Sequence, residues 1–104
     1  MKVSILYFEG CPNHVPAVDR VREVIQAEGV YAEVVELEIR DEISAKAQGF
    51  LGSPTIRING VDIEPSARGA EPLGMACRRY LGGLPSHELI CTAIREAQTR
   101  QEIS

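Results

Sequence analysis

The groups best suited to nucleophilic or metal-binding chemistry are three cysteines, Cys11, Cys77 and Cys91, and two histidines, His14 and His87. Cys11 opens the tetrapeptide Cys11-Pro12-Asn13-His14, between a strand-like run and a helical one. Unpaired N–H groups and the dipole at a helix start favour an anion, so the position suits a thiolate nucleophile; the bland alternative is a cysteine that only packs. His14 could stabilise that thiolate as an imidazolium or carry a proton, or be a surface residue of the first turn. Cys77 precedes Arg78 and Arg79, whose charges would favour its thiolate unless they form a solvated pair. Cys91, between Ile90 and Thr92 in a helical pattern, suits core packing. His87 is expected to be exposed, Tyr7 to lie in the core and Tyr80 to border the site. Three widely spaced cysteines make neither a disulfide framework nor a four-cysteine zinc or iron–sulfur site. One pair can form at most.

The elements that must position these residues follow from periodicity. Val3 to Phe8 is an apolar run without polar alternation, as in a central strand covered on both faces. Val15, Val18, Val21, Val24 and Ile25 recur at helical spacing through Ala27, opposite Asp19, Arg20, Arg22 and Glu23, and Gly29 closes the helix. Glu33 to Ile39 predicts a strand with Val35, Leu37 and Ile39 on one face and Glu36 and Glu38 on the other. Asp41 can cap a short helix to about Gln48, packed through Ile43, Ala45 and Ala47 and ended by Gly49. Thr55 to Ile58 and Val61 to Glu64 flank Asn59-Gly60, a pair favoured in two-residue hairpins because both positions tolerate positive φ. After a loop from Pro65 to Pro85, Ser86 can cap a last helix to about Gln98 that buries Leu89, Ile90, Ala93, Ile94 and Ala97.

The order is thus β-α-β-α-β-β-α. Right-handed crossovers make the first two strands parallel, and the hairpin adds an antiparallel pair. At 104 residues with 44% hydrophobic and 25% charged residues, the chain has material for one modest core and is expected to form a single domain over 1–104. A net charge of −4 removes the broad attraction a phosphate backbone needs, so nucleic acid is not expected as a partner. No apolar run approaches the roughly 20 residues of a membrane span. Glu9 interrupts the N-terminal run before a signal peptide would be complete, and a cytoplasmic location with reduced thiols is expected.

This order, with Cys11-Pro12-Asn13-His14 after the first strand and Ser53-Pro54-Thr55 before the hairpin, resembles the thioredoxin and glutaredoxin superfamily over most of the chain. The resemblance implies an α/β fold with a central four-stranded mixed sheet flanked by helices. It further implies that Cys11 is a nucleophilic thiolate and that Pro54 is cis. The backbone of Ser53 would be exposed beside the sulfur to pair with a peptide or glutathione-like substrate, with Pro12 and Thr55 flanking it. One departure bears on function: His14 stands where family oxidoreductases commonly carry the second cysteine of Cys-X-X-Cys. In this fold the loop after the hairpin returns to the active-site end, so Cys77 could reach Cys11 and replace the missing partner. The segment from Phe50 to Gly60 is also similar to small bacterial thioredoxin-like proteins found beside alkylmercury lyase, although nothing matches a lyase catalytic domain.

Three functions are compatible with these readings. The first is a thiol–disulfide oxidoreductase, acting without a cofactor on a protein or low-molecular-weight disulfide, with Cys77 or an external thiol resolving the Cys11 mixed disulfide. The second is a dithiol site for a soft metal ion of the mercury type. The third is a redox-inactive module that binds peptides in the groove beside Pro54.

Overall fold

The computed structural model describes residues 1–72, 74–80 and 83–103. Leu73, Leu81 and Gly82, within the expected loop, lie outside the described residues. The elements are β1 (Lys2–Tyr7), α1 (His14–Glu28), β2 (Glu33–Glu38), α2 (Glu42–Ala47), β3 (Thr55–Ile58), β4 (Val61–Asp62), a 3₁₀ turn (Pro65–Ala67) and α3 (His87–Ile103). The chain is mixed α/β, with one four-stranded sheet in the order β2-β1-β3-β4. β1 pairs parallel with β2 and antiparallel with β3, and β3 pairs antiparallel with β4. This is the element order and mixed pairing expected from periodicity.

β1 is apolar on both faces because each face is covered. Val3 and Ile5 join Ile56 and Ile58 in a core closed by Val18, Val21 and Val24 of α1 and Ile90, Ile94 and Ala97 of α3. On the opposite face Leu6 packs with Ile39, Ala45 and Phe50, so α2 and the loop after it form a second layer. Asn59 and Gly60 both adopt positive φ, as the hairpin requires, and the Asn59 Oδ1 accepts the Lys2 N–H at 2.8 Å. The Ser86 hydroxyl accepts the Leu89 N–H at 3.0 Å, capping α3 where expected.

Several side chains depart from the expected faces. Ile43 is 83% exposed and Ala47 is also exposed, leaving Ala45 as the buried residue of α2. Two residues of helix turn a side chain through about 200°, so Ile43 and Ala45 cannot share a face. Val15, at 61% exposure, precedes the first turn of α1 that meets the core, and Ala17 is buried instead. Leu37 is 39% exposed on β2, a sheet-edge strand. β4 ends at Asp62, short of the expected Glu64: the Ile63 N–H still bonds the Ile56 carbonyl at 3.1 Å, and the Asp62 carboxylate accepts the Glu64 N–H at 2.8 Å.

Asp41 caps α2 through its carboxylate, which accepts the Ser44 N–H at 2.7 Å and is held below its ordinary pKa chiefly by that bond. A lowered folded-state pKa stabilises the fold above the unfolded pKa, and the benefit is lost as pH falls through the folded value. Asp41→Ala is therefore expected to lower the melting temperature at neutral pH, with the gap from the parent narrowing as pH drops below the usual carboxylate range. Parallel thermal melts across acidic pH check this; a gap that does not change with pH would remove the cap's charge from the account.

Candidate functional site

The site forms where the turn after β1 meets the loop before β3. The Cys11 N–H donates to the Phe8 carbonyl and the His14 N–H to the Cys11 carbonyl, both at 3.3 Å, so Cys11 lies in a tight turn just ahead of α1. Asn13 is the N-cap residue of α1 and supplies no side-chain cap. Cys11 is 9% exposed, and its Sγ lies 3.6 Å from the Ser53 carbonyl oxygen, within hydrogen-bonding reach for sulfur. The Ser53-Pro54 peptide bond is cis, and the Ser53 hydroxyl accepts the Phe8 N–H at 3.3 Å. Cys11 therefore lies against Ser53, whose peptide bond to Pro54 is cis.

The backbone of Ser53 is not exposed. Ser53 is completely buried, its N–H donating to the Ala76 carbonyl at 2.9 Å and its carbonyl accepting the Arg78 N–H at 2.9 Å. These bonds make a parallel bridge between Ser53 and Cys77, and the chain's own segment from Met75 to Tyr80 fills the edge expected to be open to a substrate. Thr55 is also fully buried; its hydroxyl donates to the Gly52 carbonyl at 2.6 Å and accepts the Leu51 N–H at 3.3 Å, which shapes the loop. Pro12 is exposed beside the turn.

Alternation along this segment separates two roles. Cys77 and Arg79 are exposed, while Arg78 and Tyr80 are buried. Arg78 reaches Asp62 through two hydrogen bonds of 2.7 and 2.8 Å and Glu64 through a third of 2.7 Å, and its guanidinium stacks 4.5 Å from the Tyr80 ring centroid. Burial works against the Arg78 charge, but the Asp62 bond leads the interactions that outweigh it and raise its pKa. Tyr80 donates its O–H to the Pro54 carbonyl at 2.8 Å, and burial pushes that phenol well above its usual range, against the pull of Arg78. Arg78 is therefore an anchor and not half of a solvated pair, and Tyr80 holds Pro54 from beneath. At the other end, Glu42 accepts the Met75 N–H at 3.3 Å.

His14 is engaged elsewhere. Its ring stacks on Tyr7 with centroids 3.6 Å apart and planes 4° from parallel, and Nε2 lies 2.6 Å from a Glu36 carboxylate oxygen. Glu36 stands on β2, whereas Ser53 leads into β3, on the other side of β1. The imidazole and the Cys11 sulfur thus have separate partners on opposite sides of the central strand. Cys91 is half-buried against the core, and burial followed by a hydrogen bond with Glu28 pushes its thiol pKa up, which makes it a poor nucleophile. His87 is exposed and lies 3.1 Å from Glu23.

No protein-family model matches the chain, and neither does any curated protein or solved structure. All three cysteines are free thiols, and among the described residues no group of three or more His, Cys, Asp and Glu side chains could hold a metal ion. No described helix is long and apolar enough to cross a membrane. A cleft of about 530 Å³ is lined by Phe8, Glu9, Glu38, Ile39, Arg40 and Met75; Phe8, whose backbone bonds Cys11 and Ser53, links it to the site. The pairing of Ser53 with Cys77 lies beyond sequence reading, since nothing local links two residues 24 positions apart.

Proposed function

We propose that this chain is a thioredoxin-like thiol–disulfide oxidoreductase whose redox pair is Cys11 and Cys77. The observation that carries the reading is the shared use of Ser53: its carbonyl lies 3.6 Å from Cys11 Sγ, and its backbone is bridged to Cys77. Bridged residues lie about 5 Å apart, so the exposed Cys77 stands one strand spacing from the residue that Cys11 contacts, on the segment next to the turn. The β2-β1-β3-β4 order, the antiparallel hairpin and the cis bond before Pro54 support the thioredoxin-like assignment. Cys77 takes the part of the absent second cysteine of the turn, and His14, paired with Glu36, is not needed as a resolving group. The filled edge at Ser53 counts against a module that binds peptides there.

The test is a redox titration in glutathione buffers, with the number of alkylatable thiols read by mass. A single transition that removes two thiols is expected in the parent chain and is lost in both Cys11→Ser and Cys77→Ser, while Cys91 stays alkylatable throughout. A transition that still removes two thiols in Cys77→Ser, beyond any single glutathione adduct, would show that Cys11 works with another protein thiol and would end the dithiol reading.

A further inference from the structure

We propose that Cys77, and not Cys11, makes the first bond to an incoming low-molecular-weight disulfide, and that Cys11 resolves it from beneath; this rests on the dithiol reading above. Exposure sets the order. Cys77 is exposed, whereas Cys11 is 9% exposed and lies against the Ser53 carbonyl. Thiol–disulfide exchange needs access of the attacking sulfur to the disulfide, and the outer thiol has it.

The segment that carries Cys77 also restricts the substrate. An extended peptide recognised by backbone pairing would need the Ser53 N–H and carbonyl, and both are bonded to Ala76 and Arg78. Displacing that segment would break those two bonds together with the Arg78 contacts to Asp62 and Glu64 and the Tyr80 bond to Pro54. A small disulfide needs none of this. The cleft of about 530 Å³ is of a size for a small molecule, and combines apolar Phe8, Ile39 and Met75 with carboxylates from Glu9 and Glu38 and the Arg40 guanidinium. Arg40 donates to Glu38 at 2.8 Å, so the charge this lining offers a compact compound is chiefly the Glu9 carboxylate.

The steps balance with the small disulfide as oxidant. The Cys77 thiolate attacks one sulfur of R–S–S–R′, forming a Cys77–S–S–R bond and expelling R′ as thiolate. The Cys11 thiolate then attacks the Cys77 sulfur, forming the Cys11–Cys77 disulfide and expelling R as thiolate. Protons from the two protein thiols pass to solvent or to the departing thiolates. The compound gains the two electrons that the cysteines lose.

Glutathione disulfide is the probe, with acid-quenched samples mapped by peptide mass. Cys11→Ser is expected to accumulate a glutathione adduct on Cys77, while Cys77→Ser acquires one on Cys11 at least about tenfold more slowly, the difference reflecting access. A Cys11 adduct forming at more than about a tenth of the Cys77 rate, or no adduct on Cys77, overturns the order. The parent chain, run in parallel, separates the two claims. If it still closes the Cys11–Cys77 bond, an adduct on Cys11 reverses the order alone, whereas failure to close removes the pair itself.

Discussion

Arg78→Met is expected to destabilise the chain by about 3–5 kcal/mol, because it leaves the Asp62 carboxylate buried without its cation. Asp62 is 6% exposed and the Arg78 side chain 7%, and two parallel hydrogen bonds join them, so water cannot easily replace the guanidinium. Glu64, at 27% exposure, can turn to solvent and loses less. The loss belongs to the stranded charge rather than to the pair, so the double variant Asp62→Leu with Arg78→Met is expected to recover most of it. Urea denaturation of the parent, the single variant and the double variant measures all three. A single-variant loss below about 1 kcal/mol would mean that the pair is effectively solvated. The variant also bears on function, because Arg78 fixes the segment that holds Cys77 beside Ser53 and its removal is expected to slow closure of the disulfide.

Gly52→Ala acts on the same contact from the other side. Gly52 has φ +101°, and a Cβ there would lie 2.9 Å from the Ala76 carbonyl oxygen and 3.1 Å from the Arg78 nitrogen. These are backbone atoms of the Ser53 pairing and cannot move aside without breaking it. The strained conformation alone costs about 1–3 kcal/mol, and loss of the pairing adds to it. Gly69→Ala is the comparison, since Gly69 has φ +80° with nothing within 4 Å of an added Cβ. Urea midpoints should fall further for Gly52→Ala than for Gly69→Ala, and only the former should slow disulfide formation between Cys11 and Cys77. Equal losses and unchanged thiol chemistry would show that the Gly52 contact does not position Cys77.

What the sequence revealed and what it hid divide along the range of the interactions. The hairpin was legible because Asn59-Gly60 sets its own turn, and α3 because Ser86 and a long apolar period define it locally. β1 was legible because both its faces are buried. The faces of α2 were not: six residues carry too few periods to tell Ile43 from Ala45. Cys11 and Pro54 could be singled out by residue type and position. The filling of the Ser53 edge, the Arg78–Asp62 pair and the turning of His14 toward Glu36 each join residues distant in the chain, and a single sequence leaves no local mark of them. Arg78 illustrates the difficulty: beside Arg79 it suggested a charge acting on Cys77 or half of a solvated pair, and only the buried carboxylate of Asp62 gives it another role.

Mild oxidation, alkylation under denaturing conditions and peptide mass mapping of the parent chain beside Cys77→Ser show whether Cys11 and Cys77 form one redox pair. The parent should yield a Cys11–Cys77 linked peptide that disappears on reduction, with Cys91 alkylated, and Cys77→Ser should keep Cys11 alkylatable under the same treatment. A parent in which Cys11 and Cys77 both remain alkylatable, or in which either is linked to Cys91 instead, would contradict the claim that Ser53 brings these two thiols into one redox pair.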